Sequence, residues 1–135
     1  MSNIRSFKEL RVWKAAMDLA CTVHEISKRF PPEERYSLTD QIRRSSRSVA
    51  ANIAEGWRKR RYEAAFVSKM SDAEAEMAET QVWVEFCLRF GYIDAGCAES
   101  IDRDCEAVIA QIVAMIARPE AWTIRPGKGA ETRRT

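Results

Sequence analysis

The chain has 135 residues, 46% of them hydrophobic and 31% charged, a balance that supports one folded domain and excludes a disordered chain. No apolar run reaches the ~18 residues of a membrane span, and the opening MSNIRSFKEL has neither an apolar stretch nor a small-residue cleavage site, so a cytoplasmic protein with no membrane partner is expected. The net charge of +2 conceals a strong asymmetry: residues 1–61 hold 14 Lys/Arg against 7 Asp/Glu, whereas residues 62–122 hold 4 against 12. A chain polarised in this way suits self-assembly or a polyanionic partner.

The few glycines and prolines fall at boundaries, and the segments between them read as helices. Ser6-x-x-Glu9 has the form of a capping box and predicts a first helix from there to Phe30, stopped by Pro31-Pro32. Two apolar rows run along it. Leu10, Trp13, Met17, Ala20, Cys21 and His24 form the row assigned to the core; Val12, Ala16, Leu19, Val23, Ile26 and Phe30 form the second. A second helix is predicted over residues 37–55, with Leu38, Ile42, Val49 and Ile53 inward. A third spans 62–90, with Phe66, Met70, Ala73, Met77, Val84 and Leu88 as its stripe. A fourth runs from Asp94 to Pro119 with Ile101, Cys105, Val108, Ile112, Met115 and Ile116. No segment alternates long enough to make a strand. The expected fold is all-α: an antiparallel up-down four-helix bundle over residues 1–120, followed by a mobile tail, 121–135.

A bundle buries one side of each helix, so the second apolar row of the first helix needs another partner. So does the end of the third, VWVEFCLRF, which is apolar nearly all round. Val12, Ala16, Leu19, Val23, Trp83, Phe86 and Phe90 are therefore expected to form a subunit interface. The alternative is a broad core face with a few exposed apolar side chains.

Catalytic chemistry is missing from the letters. His24 is the one histidine and sits on an apolar stripe, so no zinc site can be completed from it. No phosphate-binding glycine loop or nucleophile elbow is present. Asp72, Glu74, Glu76 and Glu79 lack the Glu-x-x-His pairs of a di-iron bundle and read as a solvated or salt-bridged face. Cys21, Cys87, Cys97 and Cys105 form no C-x-x-C pair and are expected to be buried and reduced. A non-enzymatic protein without metal or cofactor follows.

One surface remains for function. Opposite the apolar side of the second helix lie Arg43, Arg44 and Arg47, continued by Ala51 and Ala54; Arg58 joins them if the helix passes Gly56, and Lys59, Arg60 and Arg61 follow. Up to seven cations along one edge are the electrostatic footprint of phosphate binding, with Trp57 and Tyr62 placed to stack on unpaired bases. A solvated helix face, or neutralisation by the acidic half of the chain, accounts for the same charges.

Several stretches resemble the bacterial four-helix-bundle proteins named for the 23S ribosomal RNA intervening sequence. They are L-x-V-W at Leu10, Val12 and Trp13; F-P-x-x-E-x-Y-x-L at Phe30, Pro31, Glu34, Tyr36 and Leu38; Q-I-R-R at 41–44; N-I-A-E-G at 52–56; and LRFGYI at 88–93. Ala50 departs from the pattern, which often has proline there, and a straighter second helix is expected. The resemblance implies a ring-shaped homo-oligomer, a pentamer, similar in fold to Avd, the accessory protein of diversity-generating retroelements. Two roles follow as expectations: non-specific binding of RNA or DNA, or an adaptor that docks a protein such as a reverse transcriptase.

Overall fold

The structure, a computed structural model, describes residues 4–124 and contains four long helices: α1 (Arg11–Ser27), α2 (Leu38–Arg58), α3 (Glu63–Arg89) and α4 (Ala95–Ala117). The Ser6/Glu9 pair does cap, but it caps a 3-10 turn, Phe7–Glu9. Ser6 Oγ accepts from the Lys8 amide and Glu9 Oε2 from the Arg5 amide, both at 3.2 Å. Leu10 then takes an extended conformation, and α1 starts at Arg11, later than the sequence predicts. At the start of α4, Asp94 Oδ1 accepts from the Cys97 amide at 2.7 Å, an N-cap that satisfies one orphan donor.

The end of α3 closes in a Schellman motif. The Tyr92 amide reaches Cys87 O at 2.8 Å and the Gly91 amide reaches Leu88 O at 3.1 Å, with Gly91 at φ 79°. A side chain is strained in that left-handed conformation. Gly91→Ala is therefore expected to lower stability by about 1–2 kcal/mol, read as a lower denaturation midpoint with an unchanged slope in urea.

Consecutive helices pack against each other and α4 closes onto α1, whereas the backbones of the diagonal pairs, α1 with α3 and α2 with α4, do not approach closely. The four helices thus occupy the corners of a square. Their directions follow from what meets at each end. At one end Phe7 lies beside Lys59, and the Ile124 amide donates to Arg60 O at 3.0 Å. At the other, Tyr92 Oη donates to Glu34 Oε2 at 2.8 Å, clasping the α3–α4 turn to the α1–α2 connection. The start of α1, the α2–α3 turn and the end of α4 share one end, so neighbouring helices run in opposite senses. Glu34 also accepts from Ser37 Oγ at 2.6 Å and from the Leu38 amide. The Ser37 and Tyr92 bonds hold its carboxyl below the usual range, and the Glu34 bond pushes the Tyr92 phenol up to about 12.

The core departs from the sequence assignment of the two α1 rows, although Leu10 and Ala20 of the first row are buried as expected. Val12, Ala16, Leu19 and Val23 are buried inside the protomer and are no part of an outer interface; Val23 is 0% exposed. Met17 is 37% exposed, Cys21 is exposed, and Trp13 and His24 are half-buried. Compact branched aliphatics fill a dense interior well, whereas Trp13 and His24 carry ring N–H groups that favour the edge. The α2–α3 crossing is built of small residues. Ser45 Oγ and Thr80 Oγ1, both enclosed, lie 2.8 Å apart, and Thr80 also donates to Glu76 O. Gly56 does not make a turn, as read from the sequence, but lies inside α2. A Cβ there would meet Met70 Sδ at 3.2 Å, so its bareness lets α3 approach. Residues 121–124, assigned to the tail, belong to the bundle instead: Trp122 packs on the core and Ile124 is hydrogen-bonded. The remainder of that segment, 125–135, lies outside the described residues.

Candidate nucleic-acid interface

Helical geometry alone sends the arginines of α2 outward. With Ile42, Val49 and Ile53 buried on one side, Arg43, Arg44 and Arg47 fall toward the other at 100° per residue. There they line a groove of about 500 Å3, joined by Arg35 from the preceding connection, with Thr39, Ser48 and Ala51 between them and Asp40 as the one carboxylate on its wall. Four guanidinium groups against one carboxylate make an electropositive trough. Their planar forks suit bidentate contacts to phosphate oxygens.

The four are not equally available. Arg43 Nε donates to Ser27 Oγ at 2.7 Å, which ties its side chain to α1 at the edge of the groove it lines. Arg44 is held by α3, paired with Glu79 and lying 3.5 Å from Glu76. Glu79 also accepts from Trp83 Nε1 one turn further along α3, so one carboxylate links the groove to the start of the Trp83/Phe86/Phe90 row. Arg47 makes a single long contact, 3.3 Å, to His24 Nδ1. Arg35 lies 6.0 Å from the Tyr36 ring centroid. Arg35 and Arg47 have no carboxylate partner among the described residues.

The second cluster, at the α2–α3 turn, divides in the same way. Arg58, Lys59 and Arg61 are exposed. Arg60 folds back, its guanidinium 3.7 Å from the Trp57 ring centroid and donating to Trp57 O at 2.8 Å. Burial pulls its pKa down, with the Arg58 charge adding to the effect. Trp57 is buried in the core under that guanidinium and is not open to a stacking base. Tyr62, the other proposed stacking residue, is 66% exposed. Since α2 runs past Gly56, Arg47, Ala51, Ala54 and Arg58 form one continuous outer line. Residues of the N-I-A-E-G stretch serve architecture: Ile53 is core, and Glu55 pairs with Lys69 of α3 at 2.8 Å. That contact lowers the Glu55 pKa and raises that of Lys69, a consistent pair.

Elsewhere the acidic face of α3 is salt-bridged as expected, through Glu76 and Glu79 to Arg44 and through Asp72 to Lys69. No three His, Cys, Asp or Glu side chains are grouped so as to hold a metal ion among the described residues. Cys87 and Cys105 are buried, which pushes both thiols up to about 12 and makes them poor nucleophiles. Cys21 is exposed, against expectation, because it lies on the outward row of α1. No described helix is long and apolar enough to cross a membrane.

Sequence reasoning missed Arg35 and Tyr36, since both precede the helix and a helical wheel does not place them. It assigned Trp83, Phe86 and Phe90 to an expected subunit interface. These stack in a row along α3 with successive ring centroids 6.0 and 5.6 Å apart, Phe86 41% and Phe90 55% exposed.

A family model described as 23S rRNA-intervening sequence protein matches residues 8–114. Among solved structures, the chain is similar to a protein of unknown function from the S23 ribosomal protein family of Bacteroides thetaiotaomicron VPI-5482. The TM-score is 0.72 at 28% identity, covering 78% of this chain and 95% of that one. No curated protein matches.

Proposed function

The chain belongs to the 23S rRNA-intervening sequence protein family, and we propose that it is a non-enzymatic protein that binds RNA or DNA through phosphate contacts along the outer face of α2. The observation that carries this reading is the groove walled by Arg35, Arg43, Arg44 and Arg47 and extended along the helix to Arg58. Phosphate contacts of this kind fix position and carry no base preference, so binding without sequence specificity follows.

The test is a mobility shift with a labelled oligonucleotide at rising salt. Four neutralised phosphates give a slope of about −3 in log affinity against log salt. No complex at low salt, or one indifferent to salt, overturns the proposal.

We further propose that the protein acts as a homo-oligomer, a ring of five as the resemblance implies. Its outer apolar surfaces support this. Phe86 and Phe90 on α3 and Met17 on α1 are exposed, and α1 and α3 flank α2 on its two sides. Two different apolar patches on one protomer suit a heterologous, head-to-tail contact of the kind that builds rings, and the opposite charges of the two halves of the chain favour such a contact. Light scattering should give a multiple of 15.5 kDa. A monomer overturns self-assembly and leaves the Phe86/Phe90 row to the second reading, an adaptor surface for a protein partner such as a reverse transcriptase.

A further inference from the structure

The basic edge has an aromatic side chain exposed at each end. Tyr36, beside the groove-lining Arg35, is 86% exposed, more than any other large apolar or aromatic side chain among the described residues. Tyr62 follows Arg61 directly and sits at the N-terminus of α3, where its amide donates to Lys59 O at 3.0 Å. Neither ring packs on the core. Between them runs α2, 21 residues and thus ~32 Å long, with Arg47 and Arg58 on its outer line. Ala51 and Ala54 lie between those arginines, with Phe7 beside Ala54 and Arg58.

An exposed phenol ring next to an arginine gains little from water and offers a flat face to another ring. A duplex cannot use such a face, because its bases are stacked on each other and it presents phosphates and groove edges. A single strand can, since each unpaired base has a free π-face. Positive grooves combined with aromatic platforms are the usual device for holding single strands. Trp57, near the C-terminal end of α2, is buried and offers no stacking platform, so the exposed aromatic faces of this edge are those of Tyr36 and Tyr62.

We infer that the basic edge of α2 takes a single strand of RNA or DNA, with its phosphates along Arg47 and Arg58, one base stacked on Tyr36 and another on Tyr62. This inference rests on the nucleic-acid reading above and adds strandedness to it.

The test measures fluorescence anisotropy with a labelled oligothymidylate and with a duplex of equal length, using wild type, Tyr36→Ala, Tyr62→Ala and both Tyr→Phe variants. Both tyrosines are exposed, so all variants should keep the wild-type circular dichroism. The wild type should prefer the single strand at equal salt. Each alanine variant should weaken single-strand binding roughly tenfold and leave duplex binding unchanged, while phenylalanine restores it. The salt slope should not move, because no phosphate contact is lost. Equal losses on strand and duplex, no loss on either, or a wild-type preference for duplex would overturn the stacking inference while leaving phosphate binding intact. Failure of the wild type to bind either probe overturns both.

Discussion

Reversing Arg47 and Arg58 together to glutamate is expected to weaken nucleic-acid binding by about a hundredfold or more at low salt. A hydrogen bond to a charged group is worth about 1.5–3 kcal/mol, two are removed, and each new carboxylate repels the phosphate it faces. Neither arginine has a carboxylate partner among the described residues. Their loss therefore leaves no unpaired acid in the bundle, and the variant should melt like the wild type. Arg44 is a poorer choice, since Arg44→Glu would set a third carboxylate beside Glu76 and Glu79 and confuse stability with binding. The log–log salt slope should also become shallower by about 1.4 on a single strand, as two neutralised phosphates are lost. Arg103→Glu, at an exposed position of α4, changes net charge as much as Arg47→Glu alone does. It should cost far less. If the two single reversals weaken binding equally, overall charge and not the α2 edge governs the interaction.

The four helices were legible because Pro31-Pro32 and Gly91 mark two of the connections and apolar periodicity fills the segments between. The errors arose where one letter serves two purposes. Gly56 reads as a helix end, yet it is a point of close approach to Met70, and α2 passes through it to Arg58. Placing the end too early also hid Trp57, which continues the Val49–Ile53 stripe four residues on and is core for that reason. The positive charges of the site were readable, but not their availability. Arg44 is paired with a carboxylate thirty-five residues further along the chain, on α3. Arg60 is spent on the Trp57 ring. Tertiary partners of this kind leave no trace in local spacing, so a run such as RKRR overstates the number of cations on offer.

The two apolar rows of α1 supply the sharpest test of the packing. Val23→Asp is expected to unfold the protein, whereas Met17→Asp is expected to fold. Val23 is 0% exposed and belongs to the central cluster. An ionised carboxylate there has no water and no partner, so it must either protonate or open the bundle, at a cost of about 4 kcal/mol or more. Against a usual total stability of 5–15 kcal/mol, most of the population of a small domain can be lost. Met17 is already 37% exposed, so an aspartate there stays hydrated and changes stability by about 0.5 kcal/mol. Circular dichroism with thermal melting distinguishes the outcomes. A folded Val23→Asp protein with an unfolded Met17→Asp protein would return the rows to the assignment first read from the sequence. The same pair bears on assembly. If copies close head to tail through the outward row of α1, Met17→Asp keeps its fold but lowers the mass seen by light scattering, as Phe90→Asp does from the opposite corner. A loss of mass without a loss of helix separates an outer contact from a core one, which periodicity alone did not do for α1.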